Sequence, residues 1–317
     1  NKPDLVDIFA LTTNAKEPDK YLLDGKWRSF REKTIKLKVK LFGFLPWQVK
    51  RKALYTEHGP AIETPHGIYA IRYAGMGEVK KIEQWLAMNK ATNFEEWLAA
   101  LAQHTFASFN FVYSDKDGNI AFIHNSMTPV RIPGYNWHNY LPGDKSSLIW
   151  DSYISFEKLP MVINPSSGYL ISANQSPFFV TSDKDNPDRK NYSNEDGFPT
   201  RMTNRAVRGL ELLSELDKID ERTFSAIKHD KKYSKNSRAY KYLEKAMLAD
   251  LGDLNTQKHE IYANAQTILK KWDLSTDKNN RGAALGTCII GAEWLAEQQG
   301  ENPPCLLYTS DAADESR

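Results

Sequence analysis

The order of secondary-structure patterns constrains this chain more than any other feature. Strand-like segments fill the first half and helix-like segments the second, the mark of an α+β fold with its helices segregated from its sheets. From Asp4 to about Tyr73 the residues read as strands. Val6, Ile8 and Ala10 alternate imperfectly with Asp7 and Phe9. Tyr21-Leu22-Leu23 and Lys26-Trp27-Arg28 flank Asp24-Gly25, a hairpin turn whose two residues tolerate positive φ. Thr34 to Leu41 alternates cleanly, which predicts one wet face and one buried face. Pro46 and Gly59-Pro60 interrupt further strands.

Two helices are expected next. The first, Glu78 to Asn89, gathers Val79, Ile82, Trp85, Leu86 and Met88 near one face. The second begins at Asn93 and buries Trp97, Leu98 and Leu101, with Glu95 and Glu96 at its positive end. Phe109 to Tyr113 and Ile120 to His124 surround a polar turn, Ser114 to Asn119, and read as a hairpin. Met127 to Pro165 is loop-rich, Tyr169 to Ser172 reads as a short strand running into Asn174, and Thr181 to Pro199 as a polar loop. Helical patterns then cover Met202–Leu216, Glu221–His229, Ser237–Ala249 and Lys258–Trp272.

Composition excludes several classes. The formal net charge of +2 makes no case for nucleic acid or an anionic membrane as partner. No apolar run approaches the ~18 residues that span a bilayer. Two cysteines, Cys288 and Cys305, make neither a disulfide framework nor a zinc site. The seven histidines show no metal spacing, and His58 and His124 read as structural. The chain opens at Asn1 with no leader pattern. The run from Cys305 to Glu315 resembles the translation of a sequencing adapter, so residues 305–317 are set apart from a native 1–304, and Cys288 is expected in the core.

Several segments in order carry a resemblance: Asp4-Leu5-Val6-Asp7-Ile8-Phe9, His58-Gly59-Pro60, Gln84-Trp85, and Asn93-Phe94-Glu95-Glu96-Trp97. Asp115 to Ile120, Leu141-Pro142-Gly143-Asp144, Asn164 to Tyr169, Asn174-Gln175-Ser176-Pro177, Thr200-Arg201-Met202, Trp272-Asp273 and Arg281-Gly282-Ala283-Ala284 continue it. Each is weak alone. Together, from Asn1 to about Gln298, they resemble the penicillin acylase family of N-terminal-nucleophile hydrolases. The resemblance implies an incomplete αββα sandwich: an internal piece of the large chain, with the nucleophilic Ser and the partner small chain upstream of Asn1.

The same resemblance implies roles. Asn174 would donate its side-chain NH₂ to the oxyanion, although its position alone favours a turn Asn capping a strand end. The second oxyanion donor would be a backbone N–H just before Asn1. Arg201 would orient Asn174 or the amino end of the nucleophile. Trp85 and Phe109 would wall an apolar acyl pocket, or else be plain core residues. Asp4, the Val6 carbonyl and Asp7 would ligate a structural Ca²⁺, a hard ion taking six to eight oxygens. The Trp137 carbonyl and Asp185 (or Asp183 or Asp188) would add oxygens, as would the small chain. No organic cofactor is implied.

The expected activity is hydrolysis of linear amide (C–N) bonds. It would release a carboxylic acid from an N-acyl compound such as a penicillin or an acyl-homoserine lactone, in the periplasm or outside the cell. The alternative is a binding or structural module of the same fold without catalysis. A glycosidase would need two carboxylates across a cleft, and nothing in the sequence places them so.

Overall fold

The computed structural model describes residues 4–252 and 255–299. Asn1 and the adapter-like run from Cys305 lie outside the described residues. Strands β1 (Val6–Leu11), β2 (Lys20–Leu23), β3 (Lys26–Ser29), β4 (Arg31–Leu41), β5 (Leu45–Tyr55), β6 (Pro60–Thr64) and β7 (Gly67–Tyr73) come first. Helices α1 (Lys81–Lys90) and α2 (Phe94–Leu101) follow, then β8 (Ser108–Ser114), β9 (Ile120–Ser126), β10 (Leu141–Pro142) and β11 (Met161–Ile163). The second half carries α3 (Asn204–Ser214), α4 (Glu221–Lys228), α5 (Arg238–Leu248), α6 (Thr256–Lys271) and α7 (Arg281–Gln299). The class is α+β, in the segregated order expected.

One sheet runs β10-β1-β7-β6-β5-β4, another β11-β9-β8, and β2-β3 form a separate hairpin. β1 and β10 are parallel, and the other pairs are antiparallel. Asp24 (φ 47°) and Gly25 (φ 72°) make the turn of the β2–β3 hairpin. Asn93 caps α2 by accepting from the Glu96 N–H at 2.8 Å, and Glu96 reaches back to the Thr92 N–H at 2.9 Å. α2 thereby starts where its buried face, Phe94, Trp97 and Leu101, can meet Ala121 and Ile123 of β9 in one core.

Helices α5, α6 and α7 make a second core from Leu243, Leu269, Trp272 and Ile290. The sequence patterns missed α7. Its Gly282 and Gly286 lie directly against the Trp272 ring: a Cβ on Gly286 would sit 2.1 Å from the ring carbon Cζ3. The glycines are what let the helix approach that close.

Four expectations need correction. Tyr169 to Ser172 is not a strand; the Ile171 N–H donates to the Val180 carbonyl at 2.8 Å in an irregular segment. Cys288 is exposed. Around α1, Val79 just before the helix and Ile82, Trp85 and Leu86 on it are exposed, and the helix's buried residue is Gln84, held by Leu101 and Thr105. Finally, β4 has no buried face: every residue from Arg31 to Leu41 is exposed. Beyond β6, which meets β5 only at Leu54 and Tyr55, β4 and β5 continue as a bare two-stranded ribbon. Its tip holds Phe42 (φ 52°) and Gly43 (φ 80°) in the left-handed region, where a bulky side chain costs about 1 kcal/mol or more.

Candidate functional site: the Asn174 loop, an aromatic patch and a buried ion pair

Asn174 sits at an exposed corner in the left-handed conformation, φ 59°, which Asn tolerates better than other non-glycine residues. The loop beneath it is pinned from several directions. Gln175, buried, donates through Nε2 to the Ile171 and Phe179 carbonyls at 2.8 and 3.1 Å and accepts from the Ala173 N–H at 2.6 Å. The Ser176 N–H donates to the Arg201 carbonyl at 3.0 Å. Thr203 donates to the Ala173 carbonyl at 3.0 Å and, as N-cap of α3, accepts from the Ala206 N–H at 3.2 Å. Gly209 of α3 lies where a Cβ would meet Ile171 Cδ1 at 2.3 Å, so the helix rests against this segment.

The side chain of Asn174 is oriented by Arg205, whose Nη2 donates to Asn174 Oδ1 at 2.9 Å. It is an orienting contact of the kind the resemblance assigns to Arg201. Arg205 lies four residues further, in the first turn of α3, and Arg201 contributes its backbone carbonyl to the Asn174 loop. With Oδ1 engaged, the Asn174 Nδ2 donors make no hydrogen bond among the described residues and are available to an outside acceptor. Neither Arg205, Thr203 nor Gln175 was singled out in the sequence. The spacing from Thr203 to Ala206 is an N-cap signal that could have placed the helix start, and with it Arg205.

Trp85 and Phe109 come together. Trp85 packs edge-on against Phe106 (5.4 Å between centroids), and Phe106 edge-on against Phe109 (5.3 Å). Phe111 completes the group at 6.3 Å from Trp85 and 5.8 Å from Phe109. Phe109 and Phe111 stand two apart on β8 and so share a face. Trp85 and Phe109 are about half exposed among the described residues. No hydrogen bond or ring contact joins this patch to Asn174 among the described residues. The groove between α1 and α2, lined by Ala87, Lys90, Glu96 and Ala100, holds none of the expected site residues.

Asp4 and Asp7 converge on one cation, the guanidinium of Arg131. Its Nε donates to Asp7 Oδ2 at 3.0 Å and its Nη1 to Asp4 Oδ2 at 3.1 Å. Trp150 Nε1 also donates to Asp7 Oδ2, at 2.6 Å. Burial pushes the Asp7 carboxyl above its usual range, although Arg131 and Trp150 pull it down. Trp137 is part of this cluster, its ring 5.3 Å from the Arg131 guanidinium carbon. Val6 contributes backbone, paired with Tyr73.

Asp185 is held elsewhere. It accepts from Ser166 and Ser182 hydroxyls at 2.8 and 3.2 Å and from the Ser167 N–H at 3.2 Å. Asp183 begins the short turn that contains Asp185, and Asp188 caps the next turn through the Lys190 N–H. The described residues do not fit Ca²⁺ on their own. Of the expected ligands only Asp7 has a buried side-chain oxygen without a hydrogen-bond partner, Oδ1, and no group of three or more acidic, His or Cys side chains placed to hold a metal ion is present among the described residues. His58 is fully buried beside Phe9, and His124 meets Asn110 Oδ1 at 2.6 Å; burial lowers each to about 4.

Taken with the segregated α+β topology, the pinned Asn174 loop invites comparison with acylases. A thermostable penicillin G acylase from Alcaligenes faecalis has the same fold, with a TM-score of 0.67 at 23% identity over 99% of this chain and 54% of that one. The penicillin amidase family model matches residues 1–298, and the chain belongs to that family. It is 34% identical to a penicillin G acylase of Escherichia coli over 181 residues, 55% of this chain and 20% of that protein. It is 23% identical to an acyl-homoserine lactone acylase of Pseudomonas putida over 130 residues, 38% of this chain and 17% of that protein. The chain therefore spans about half the length of the solved relative, and its aligned parts cover about a fifth of the curated ones. No helix among the described residues is long and apolar enough to cross a membrane.

Proposed function

We propose that the full-length protein hydrolyses linear amide bonds, splitting an N-acyl compound into a carboxylic acid and an amine. The observation that carries this reading is the Asn174 side chain, fixed by Arg205 with its donors unengaged. In the reaction a Ser heading the large chain, upstream of Asn1, attacks the acyl carbonyl, and its own α-amino group takes the proton. Charge builds on the carbonyl oxygen. The Asn174 Nδ2, together with a backbone N–H preceding Asn1, receives it; removing one such donor typically costs about 3 kcal/mol of transition-state stabilisation. A donor held in place before substrate arrives needs no reorganisation when charge develops.

Trp85, Phe106, Phe109 and Phe111 supply an apolar wall for the acyl group. An aromatic or aliphatic acyl chain fits that chemistry, and the relatives' substrates, penicillin G and acyl-homoserine lactones, carry one or the other. A small chain from the same precursor would close the exposed side of the patch, and export to the periplasm or outside follows the family expectation. No catalytic step involves calcium.

The test is direct. Purified full-length protein is offered a phenylacetyl amide, a long-chain acyl-homoserine lactone and an aryl glycoside, and released acid and amine are measured. Turnover of at least one N-acyl compound with none of the glycoside is expected. Failure to cleave any N-acyl amide, in a preparation shown to be folded and cleaved into two chains, would overturn the reading.

A further inference from the structure

The β4–β5 ribbon runs from Lys33↔Ala53 to Leu41↔Leu45 as nine cross-strand pairs without a third strand, about 30 Å of hairpin. Cross-strand partners share a face. One face carries Ile35 with Arg51, then Leu37 with Val49, Val39 with Trp47, and Leu41 with Leu45 toward the tip. The other carries Thr34, Lys36 with Lys50, Lys38 with Gln48, and Lys40 with Pro46. At the apex Phe42 and Phe44 are 88% and 77% exposed, the most exposed aromatic side chains described. Trp47 stands 56% exposed a short step behind them.

Two features of this ribbon oppose its own stability. Phe42 occupies a left-handed turn position, which glycine or asparagine fills without strain, and its ring is left almost fully exposed among the described residues. Lys36 faces Lys50 directly, a like-charge pair that weakens a sheet. Between Arg31 and Tyr55 there are eight Lys and Arg against one Glu, in a chain whose net charge is only +2, so the remainder is net acidic. A polyanionic, partly apolar partner offsets the lysine repulsion and buries the Phe42 ring.

We propose that this ribbon docks on an anionic lipid bilayer, entering it tip first. Phe42 and Phe44 then reach the headgroup–acyl boundary, ~5–10 Å deep for an interfacial element. Trp47 lies at the interfacial level that suits its amphipathic ring. Lys40, Lys38 and Lys36, set progressively further back, meet the lipid phosphates. Nucleic acid would satisfy the lysines but has no use for the aliphatic row from Leu37 to Leu45. An uncharged protein surface would cover that row but leave the lysines unmet. The whole-chain charge conceals the feature because it averages the ribbon with an acidic body.

The experiment uses the full-length protein, sedimented with vesicles of phosphatidylcholine containing about 30% phosphatidylglycerol, and with phosphatidylcholine alone. Binding to the anionic vesicles is expected, weaker on neutral ones and weaker in high salt. Phe42→Asn with Phe44→Ser should reduce it roughly tenfold or more. Asn-Gly is a favoured turn of this type, so the ribbon keeps its fold, checked by an unchanged or raised Tm. Replacing Lys36, Lys38 and Lys40 with Gln should lower binding to the anionic vesicles only. No binding to anionic vesicles, equal binding by the tip variant, or binding to RNA in place of vesicles would each overturn the proposal. Amide hydrolysis is assayed on the same samples and is expected to be unaffected, so this result stands apart from the catalytic one.

Discussion

Arg205 Nη2 and Asn174 Oδ1 meet at 2.9 Å, joining the first turn of α3 to the corner of an irregular loop. The contact fixes which end of the Asn174 amide faces outward. Arg205→Ala should therefore free the amide to rotate and lower kcat about 10- to 100-fold, with KM little changed, since the contact orients a transition-state donor. Arg205→Lys should recover part of the rate. Steady-state kinetics of the full-length enzyme would check this, and a rise in KM with kcat untouched would speak against an orienting role.

Arg131 is buried between Asp4 and Asp7, its side chain wholly inaccessible. Arg131→Leu should leave the Asp7 carboxylate without its charge partner and destabilise the protein by about 3–5 kcal/mol. Arg131→Leu combined with Asp7→Asn should recover much of that loss. Urea unfolding of the single and double variants measures both.

Gly286 supports the Trp272 ring, with 2.1 Å between a hypothetical Cβ and Cζ3. Gly286→Ala should lower stability by about 1–3 kcal/mol, because the ring is enclosed by α5, α6 and α7 and has little room to move. Ala284→Gly, on the exposed side of the same helix, should cost at most about 1 kcal/mol, a propensity effect. Thermal unfolding of the two variants compares them.

His58 and His124 are held neutral by burial, each lowered to about 4 from an ordinary value of 6.5. A lowered histidine pKa means the unfolded chain binds the proton first. The stability these residues contribute is complete above about pH 6.5 and is lost as pH falls toward about 4, below which their effect levels off. Tm should thus fall through that window. His124→Gln should flatten the fall if the histidines cause it, whereas an unchanged slope would assign it to other groups.

Much of this architecture is legible in local chemistry. Asp24-Gly25 marks a turn because both residues accept positive φ, and Asn93 marks the start of α2 because its side chain caps Glu96. The α+β order and the β8–β9 hairpin follow from periodicity. What periodicity cannot supply is the neighbour. Arg201 and Arg205 flank the same N-cap, Thr203, and the packing of α3 on Ile171 is what brings the Arg205 guanidinium to Asn174. α7 has no strong amphipathic stripe, since its contact with Trp272 runs through glycines. The alternation in β4 foretold a buried face where the ribbon has none, because a period of two reports amphipathicity and is silent on what covers it. The acidic residues expected around calcium split between Arg131 and three serines, a division that spacing does not encode.

The central claim is that Asn174 donates to the oxyanion of an amide hydrolase. The most direct measurement is kcat of the full-length Asn174→Ala enzyme on an N-acyl substrate that the parent cleaves, with Tm followed in parallel. A fall in kcat of about 10²–10³ with Tm nearly unchanged is the expected result. A kcat within about twofold of the parent would contradict the account, because losing a donor to the developing charge should cost far more.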